Sequence, residues 1–166
     1  MEALVDTNIL VYRYDGRYPA KQRIAHDFLR QGAEHFSVAL PHQAIVEFVA
    51  ATTRPRRDLG GRPILSCEEA YREAEEMLSQ FIVLFPDDEV ILGALRGAAL
   101  YRMSWFDAHI WAYAERFGIP EIYSEDFQSG RLYGSVRVVN PFADLENVVH
   151  EDFNPYQTTP TGNEEP

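Results

Sequence analysis

Ala3-Leu4-Val5-Asp6-Thr7-Asn8-Ile9-Leu10 opens the chain with a short apolar run that breaks on an aspartate and then resumes. We read it as the first strand, buried, with its carboxyl end delivering Asp6 into a crevice. In open parallel sheets the carboxyl ends of the strands are where ligands bind. Asp6 or Thr7 is equally suited to cap a following helix, so this stretch alone leaves two roles open. What favours the crevice is that acids recur at comparable places further along.

Working outward, Ala20 to Gln31 has helical spacing, and Phe36 to Leu40 is a second strand ended by Pro41. His42 to Thr52 follows as a helix with Ala44, Ile45, Phe48 and Val49 on one side and Glu47 among them. Taken by itself, that lone Glu reads as a solvent-facing residue. Thr53 to Arg62 is a basic loop, and Ser66-Cys67-Glu68-Glu69 is a capping box opening a charged helix to Gln80. Phe81 to Phe85 is a third strand, again stopped by a proline, Pro86, and Asp87 and Asp88 suit the start of a helix through Tyr101. Ser104 opens the next helix, with Phe106, Ile110, Tyr113, Ala114 and Phe117 as its core stripe and Gly118 at its end. Asp107 stands where a capping acid would. Ile119 to Ser124 is a turn and fourth strand, followed by Glu125-Asp126-Phe127, and Val136 to Val139 is a fifth strand.

Strands alternating with helices indicate an α/β fold, one domain of three α/β/α layers around a parallel sheet. The chain has 166 residues, 46% of them hydrophobic, which suffices for such a core. The domain is expected over residues 1–149, with 150–166 a polar, Pro-containing and mobile tail. Net charge is -11, and six of the 26 acids lie from Asp144 onward, where there is no Lys or Arg. The balance excludes a broad basic face for nucleic acid but leaves room for a local basic patch, or for cations in an acidic pocket. Lys21 is the single lysine and Cys67 the single cysteine, which excludes a disulfide framework and a cysteine zinc site. No apolar run reaches membrane-spanning length, so a cytoplasmic protein is expected.

Asp6 and Asp126 both follow strands, Asp107 begins a helix returning from the carboxyl edge, and Glu47 lies one turn into a helix leaving it. All four can therefore converge on one edge. Clustered carboxylates repel and raise one another's pKa. Mg²⁺ or Mn²⁺ relieves this, since both take oxygen ligands, and the chemistry expected is metal-assisted phosphodiester hydrolysis.

The pattern of LVDTNIL, HQAIVEF, SWFDAHIWAYAERFG and IYSEDF resembles the PIN domain over roughly residues 1–142, and within it a VapC-type toxin. The resemblance implies a metal-dependent endoribonuclease, the toxin of a type II toxin–antitoxin pair, with Asp6, Glu47, Asp107 and Asp126 as catalytic and metal-holding acids. Asn8 and Ser124 match supporting positions. It further implies a five-stranded parallel sheet ordered 3-2-1-4-5, a homodimer, and a VapB-like antitoxin over the active-site groove. A PIN nuclease of RNA processing and a non-catalytic binding module are the alternatives. Haloacid-dehalogenase-type phosphatases and receiver domains also place an Asp after strand one, but the former need a second acid where this chain has Asn8, and both need a lysine at the carboxyl edge after a later strand, whereas Lys21, the one candidate, falls in the first helix. Arg54, Arg56, Arg57 and Arg62 are the candidates for substrate contact, divided evenly between that role and a solvated or antitoxin-binding loop. Tyr12, Tyr14 and Tyr18 are either base-stacking or packing residues.

Overall fold

The computed structural model describes residues 2–145. Its central strand, β1 (Ala3–Val5), is fully buried. The strand is shorter than the opening stretch suggests, because Asp6 ends it. Asp6 has extended backbone (φ -78°, ψ 156°), and its Oδ1 accepts the Thr7 N–H, starting α1 (Thr7–Tyr12) at once. A helix places the adjacent Ile9 and Leu10 both in the core, which a strand facing two ways would not do on one side.

The other strands are β2 (Val38–Pro41), β3 (Ile82–Leu84), β4 (Glu121–Tyr123), β5 (Leu132–Tyr133) and β6 (Val136–Val139). The sheet order is β3-β2-β1-β4-β6-β5. Five strands are parallel in the expected arrangement, so the fold class stands, but the sheet has six strands rather than five. The addition is β5, which pairs antiparallel with β6, Tyr133 against Val136. Gly134, at φ 63°, makes the two-residue turn between them possible.

Helices α2 (Pro19–Glu34), α3 (His42–Thr53) and α4 (Cys67–Gln80) join α1, while α5 (Asp88–Tyr101) and α6 (Trp105–Phe117) form a pair of their own. Alternation along β1 separates two cores. Ala3 and Val5 join the core built on α1 to α4, and Leu4 joins the one built on α5 and α6. These are the three layers expected. Among the described residues no helix is long and apolar enough to cross a membrane. The expected boundary between domain and tail, at 149 and 150, lies outside the described residues.

The stripe expected on α6 needs correction. Ile110, Tyr113 and Ala114 are buried, but Phe106 is 61% and Phe117 38% exposed. Ala108, Trp111 and Ala112 are buried instead, because α6 is covered both by the sheet and by α5. Two glycines allow the close approach. A Cβ on Gly97 would overlap the Trp111 ring, and one on Gly93 would lie 3.3 Å from the Ala112 Cβ. Alanine gains roughly 1 kcal/mol over glycine in helix propensity, while overpacking costs about 1–3 kcal/mol. Gly97→Ala should therefore lower stability in urea denaturation, whereas Gly93→Ala should be near neutral; equal effects would contradict the packing described.

Candidate active site

The carboxyl edge of the sheet opens into a cavity of about 610 Å³. Asp6 reaches it from the end of β1, Asp126 from the segment after β4, Glu47 from α3 and Asp107 from the first turn of α6, so all four acids line one space. Asp6 is the most tightly held. Its Oδ1 accepts the Thr7 N–H at 2.6 Å, and its Oδ2 accepts the buried Ser124 hydroxyl at 2.6 Å and Asn8 Nδ2 at 3.1 Å. Asn8 Nδ2 also lies 3.1 Å from Asp126 Oδ2 and 3.2 Å from Ser124 Oγ. Ser124 Oγ accepts the Asp126 N–H at 3.1 Å. Asn8 and Ser124 thus stand between the two aspartates.

Glu47 does not simply face solvent. Its Oε2 accepts the Thr7 hydroxyl at 2.9 Å, and its Oε1 accepts Gln43 Nε2 at 2.6 Å. Capping accounts for only part of Asp107. Its N–H donates to Ser104 Oγ at 3.1 Å, while its side chain lines the cavity. Burial is the main reason that the Asp6 carboxyl is pushed up to about 7. The bonds from Ser124 and Thr7 oppose the shift, and the charges of Asp126 and Glu47 add to it.

The basic loop divides. Arg56 lines the acidic cavity, and Arg62 lines a neighbouring one of about 260 Å³. Arg54 and Arg57 are exposed and line neither. Arg17, which the sequence reading missed, lines both. Its Nε donates to the 3% exposed Asp15 at 2.7 Å, and its Nη1 pairs with Asp58 of the basic loop. The local signal was Asp-x-Arg in a tight turn; Asp58, 41 positions away, had none. Tyr12 and Tyr18 line the cavity, but Tyr14 packs on Phe48 and donates its hydroxyl to Glu73 at 2.5 Å. Gln43 and His109 were also missed, and burial holds the His109 imidazole below its usual pKa against the opposing pull of Glu47.

The donor set suits a hard divalent cation. Among the described residues no three His, Cys, Asp or Glu side chains are gathered tightly enough to form a metal group by themselves. Mg²⁺ does not require one, since it keeps several waters and takes one or two carboxylates. Asn8 Oδ1 is buried without a partner among the described residues.

The PIN domain family model matches residues 3–134. The chain belongs to the PIN domain family. No curated protein matches it in sequence. Among solved structures, this PIN domain is similar to a toxin–antitoxin complex from Klebsiella pneumoniae, at 22% identity and a TM-score of 0.56, covering 84% of this chain and 98% of that one. It is similar to VapBC2 from Rickettsia felis bound to a promoter DNA fragment, at 11% identity and a TM-score of 0.60, covering 83% and 97%. VapC20 from Mycobacterium tuberculosis, a sarcin-ricin loop cleaving toxin, gives 17% identity and a TM-score of 0.55 over 75% and 90%. At these identities the likeness shows the fold. PIN domains are nucleases.

The raised Asp6 carboxyl sets a stability signature for the protein in EDTA. Between its ordinary 3.8 and about 7, the folded state holds a proton that the unfolded state releases. Stability must therefore fall as pH rises through that window. Asp15 and Asp87 are shifted down, so their contribution is lost only as pH falls below the ordinary carboxylate range. The His109 imidazole, held below its ordinary 6.5, contributes the opposite slope in part of this window, so the decline owed to Asp6 reads out as a difference: between about pH 4 and about pH 7 the melting temperature in EDTA should fall more steeply, or rise less, in wild type than in Asp6→Asn. Identical slopes in wild type and Asp6→Asn would show an ordinary, solvated Asp6.

Proposed function

We propose that this PIN domain is a Mg²⁺- or Mn²⁺-dependent endoribonuclease, the toxin of a type II toxin–antitoxin pair in the cytoplasm. The observation that carries the reading is the meeting of Asp6, Glu47, Asp107 and Asp126, from four separate elements, in one cavity. These acids would hold the cation, which when bound activates water and stabilises the charge growing on the phosphate. Asn8 and Ser124 keep the Asp6 and Asp126 carboxylates in place. Arg56, partly exposed on the cavity wall, supplies the positive charge for a neighbouring phosphate, with Arg17 beside it. Tyr18, exposed at the cavity, offers a ring on which an unstacked base can lie, which favours a single-stranded RNA.

The similar structures include several toxin–antitoxin complexes, which supports a VapB-like antitoxin as partner. A homodimer finds support in α5. Val90, Ala94 and Gly97 face α6, while Ile91, Leu92, Leu95 and Leu100 are exposed, Leu95 at 55%. An apolar helix face of this kind suits burial against a second copy of the chain.

Two experiments test the reading. RNA cleavage should stop in EDTA, return with Mg²⁺ or Mn²⁺, and fall by about a hundredfold or more in Asp6→Asn and Asp107→Asn. Undiminished cleavage in EDTA would refute the metal mechanism. Leu95→Asp should convert a dimer to a monomer in light scattering after size exclusion, and an unchanged mass would place the interface elsewhere.

A further inference from the structure

Gln43 stands one helical turn before Glu47 on α3 and touches three functional neighbours. Its Nε2 donates to Glu47 Oε1 at 2.6 Å and lies 3.3 Å from the Phe106 carbonyl, next to Asp107. It therefore bridges α3 and the first turn of α6, the two helices that carry these acids. Both neighbours of Nε2 can only accept, so the amide has a single workable orientation. Its Oε1 then faces His109 Nδ1 at 2.5 Å, and since a carbonyl only accepts, Nδ1 carries the proton.

The imidazole is itself held in place. Trp105 stacks on it at 5.7 Å and 18°, and Tyr113 meets it edge-on at 5.4 Å and 73°. Its Nε2 is buried with no partner among the described residues. A buried ring nitrogen left unpaired is unfavourable, so the ring does not sit there to satisfy its own hydrogen bonding. Among the described residues the one bond the ring makes goes to Gln43.

We infer that Gln43 is a positioning residue of the site and His109 the group that fixes its amide, so that the chain His109–Gln43–Glu47 aims the Glu47 carboxylate and sets its place relative to Asp107. The inference rests on the reading of Glu47 and Asp107 as cation-holding acids. A neutral amide suits the task. It orients one carboxylate oxygen without cancelling the charge, which a lysine at position 43 would do. Outer partners of this kind tune metal affinity by roughly 10–100-fold.

The test uses the full chain and its affinity for Mn²⁺, measured by calorimetry or by the loss of the free-ion electron paramagnetic resonance signal, alongside RNA cleavage. Gln43→Leu should weaken Mn²⁺ binding by about tenfold or more, with cleavage recovering at high Mn²⁺. His109→Phe should act in the same direction but less. The double variant should bind no worse than Gln43→Leu alone, because His109 acts only through Gln43. Thermal melting in EDTA reports whether each variant folds, and the Gln43 arm decides by itself if His109→Phe does not. Wild-type affinity in folded Gln43→Leu would overturn the inference while leaving the nuclease reading intact. Additive losses in the double variant would remove His109 from the chain. A wild-type protein that neither binds Mn²⁺ nor cleaves RNA would instead defeat the reading on which the inference rests.

Discussion

A half-buried carboxylate at the end of the central strand has to be given hydrogen bonds, and those bonds come from two separate parts of the chain. Asp6 receives the first N–H of α1, the Ser124 hydroxyl beyond β4 and the Asn8 amide. The sheet makes this possible. β1 and β4 are parallel neighbours, with Val5 opposite Tyr123, so the next residues along, Asp6 and Ser124, emerge side by side. On the other side of β1 the chain runs outward through β2 and β3. The crevice forms where these two directions of growth part.

Acids can gather there because neutral donors separate them. Asn8 lies between Asp6 and Asp126, Thr7 lies beside Asp6 and Glu47, and Gln43 holds Glu47 from its far side. Two positive groups near the rim are already engaged. Arg17 is committed to Asp15 and Asp58, and Lys21, half-buried over the Tyr12 ring, is paired with Glu125. The centre of the cavity therefore keeps its negative charge, while the Arg17–Asp58 pair ties the basic loop to the body.

The parallel sheet and the convergence of four acids were legible because they rest on local signals. Short apolar runs punctuated by Pro41, Pro86 and Gly118 mark the elements, and acids directly after strands mark the edge. What escaped depends on contacts between distant residues or on very short elements. The helix α1 follows Asp6 without a loop, so the apolar residues on both sides of it read as one strand. β5 has only two residues and exists through its pairing with β6. Arg17 gains its place from a buried Asp15 and from Asp58 across the fold. The stripe on α6 failed because a helix enclosed on two sides does not bury a single face.

The close packing of α5 on α6 also bears on how the sequence can diverge. At Gly97 any side chain would collide with Trp111, and Trp111 is itself anchored by its indole N–H to the Tyr133 carbonyl at 2.9 Å. Change at one of these positions requires simultaneous change at another, which random single substitution seldom provides. Half a turn away, Ile91 and Leu95 face outward and meet no such restriction among the described residues. One helix thus couples a face frozen by its own fold to a face free to be reshaped by whatever binds it. Paralogues could diverge in their choice of partner without disturbing the acids at all.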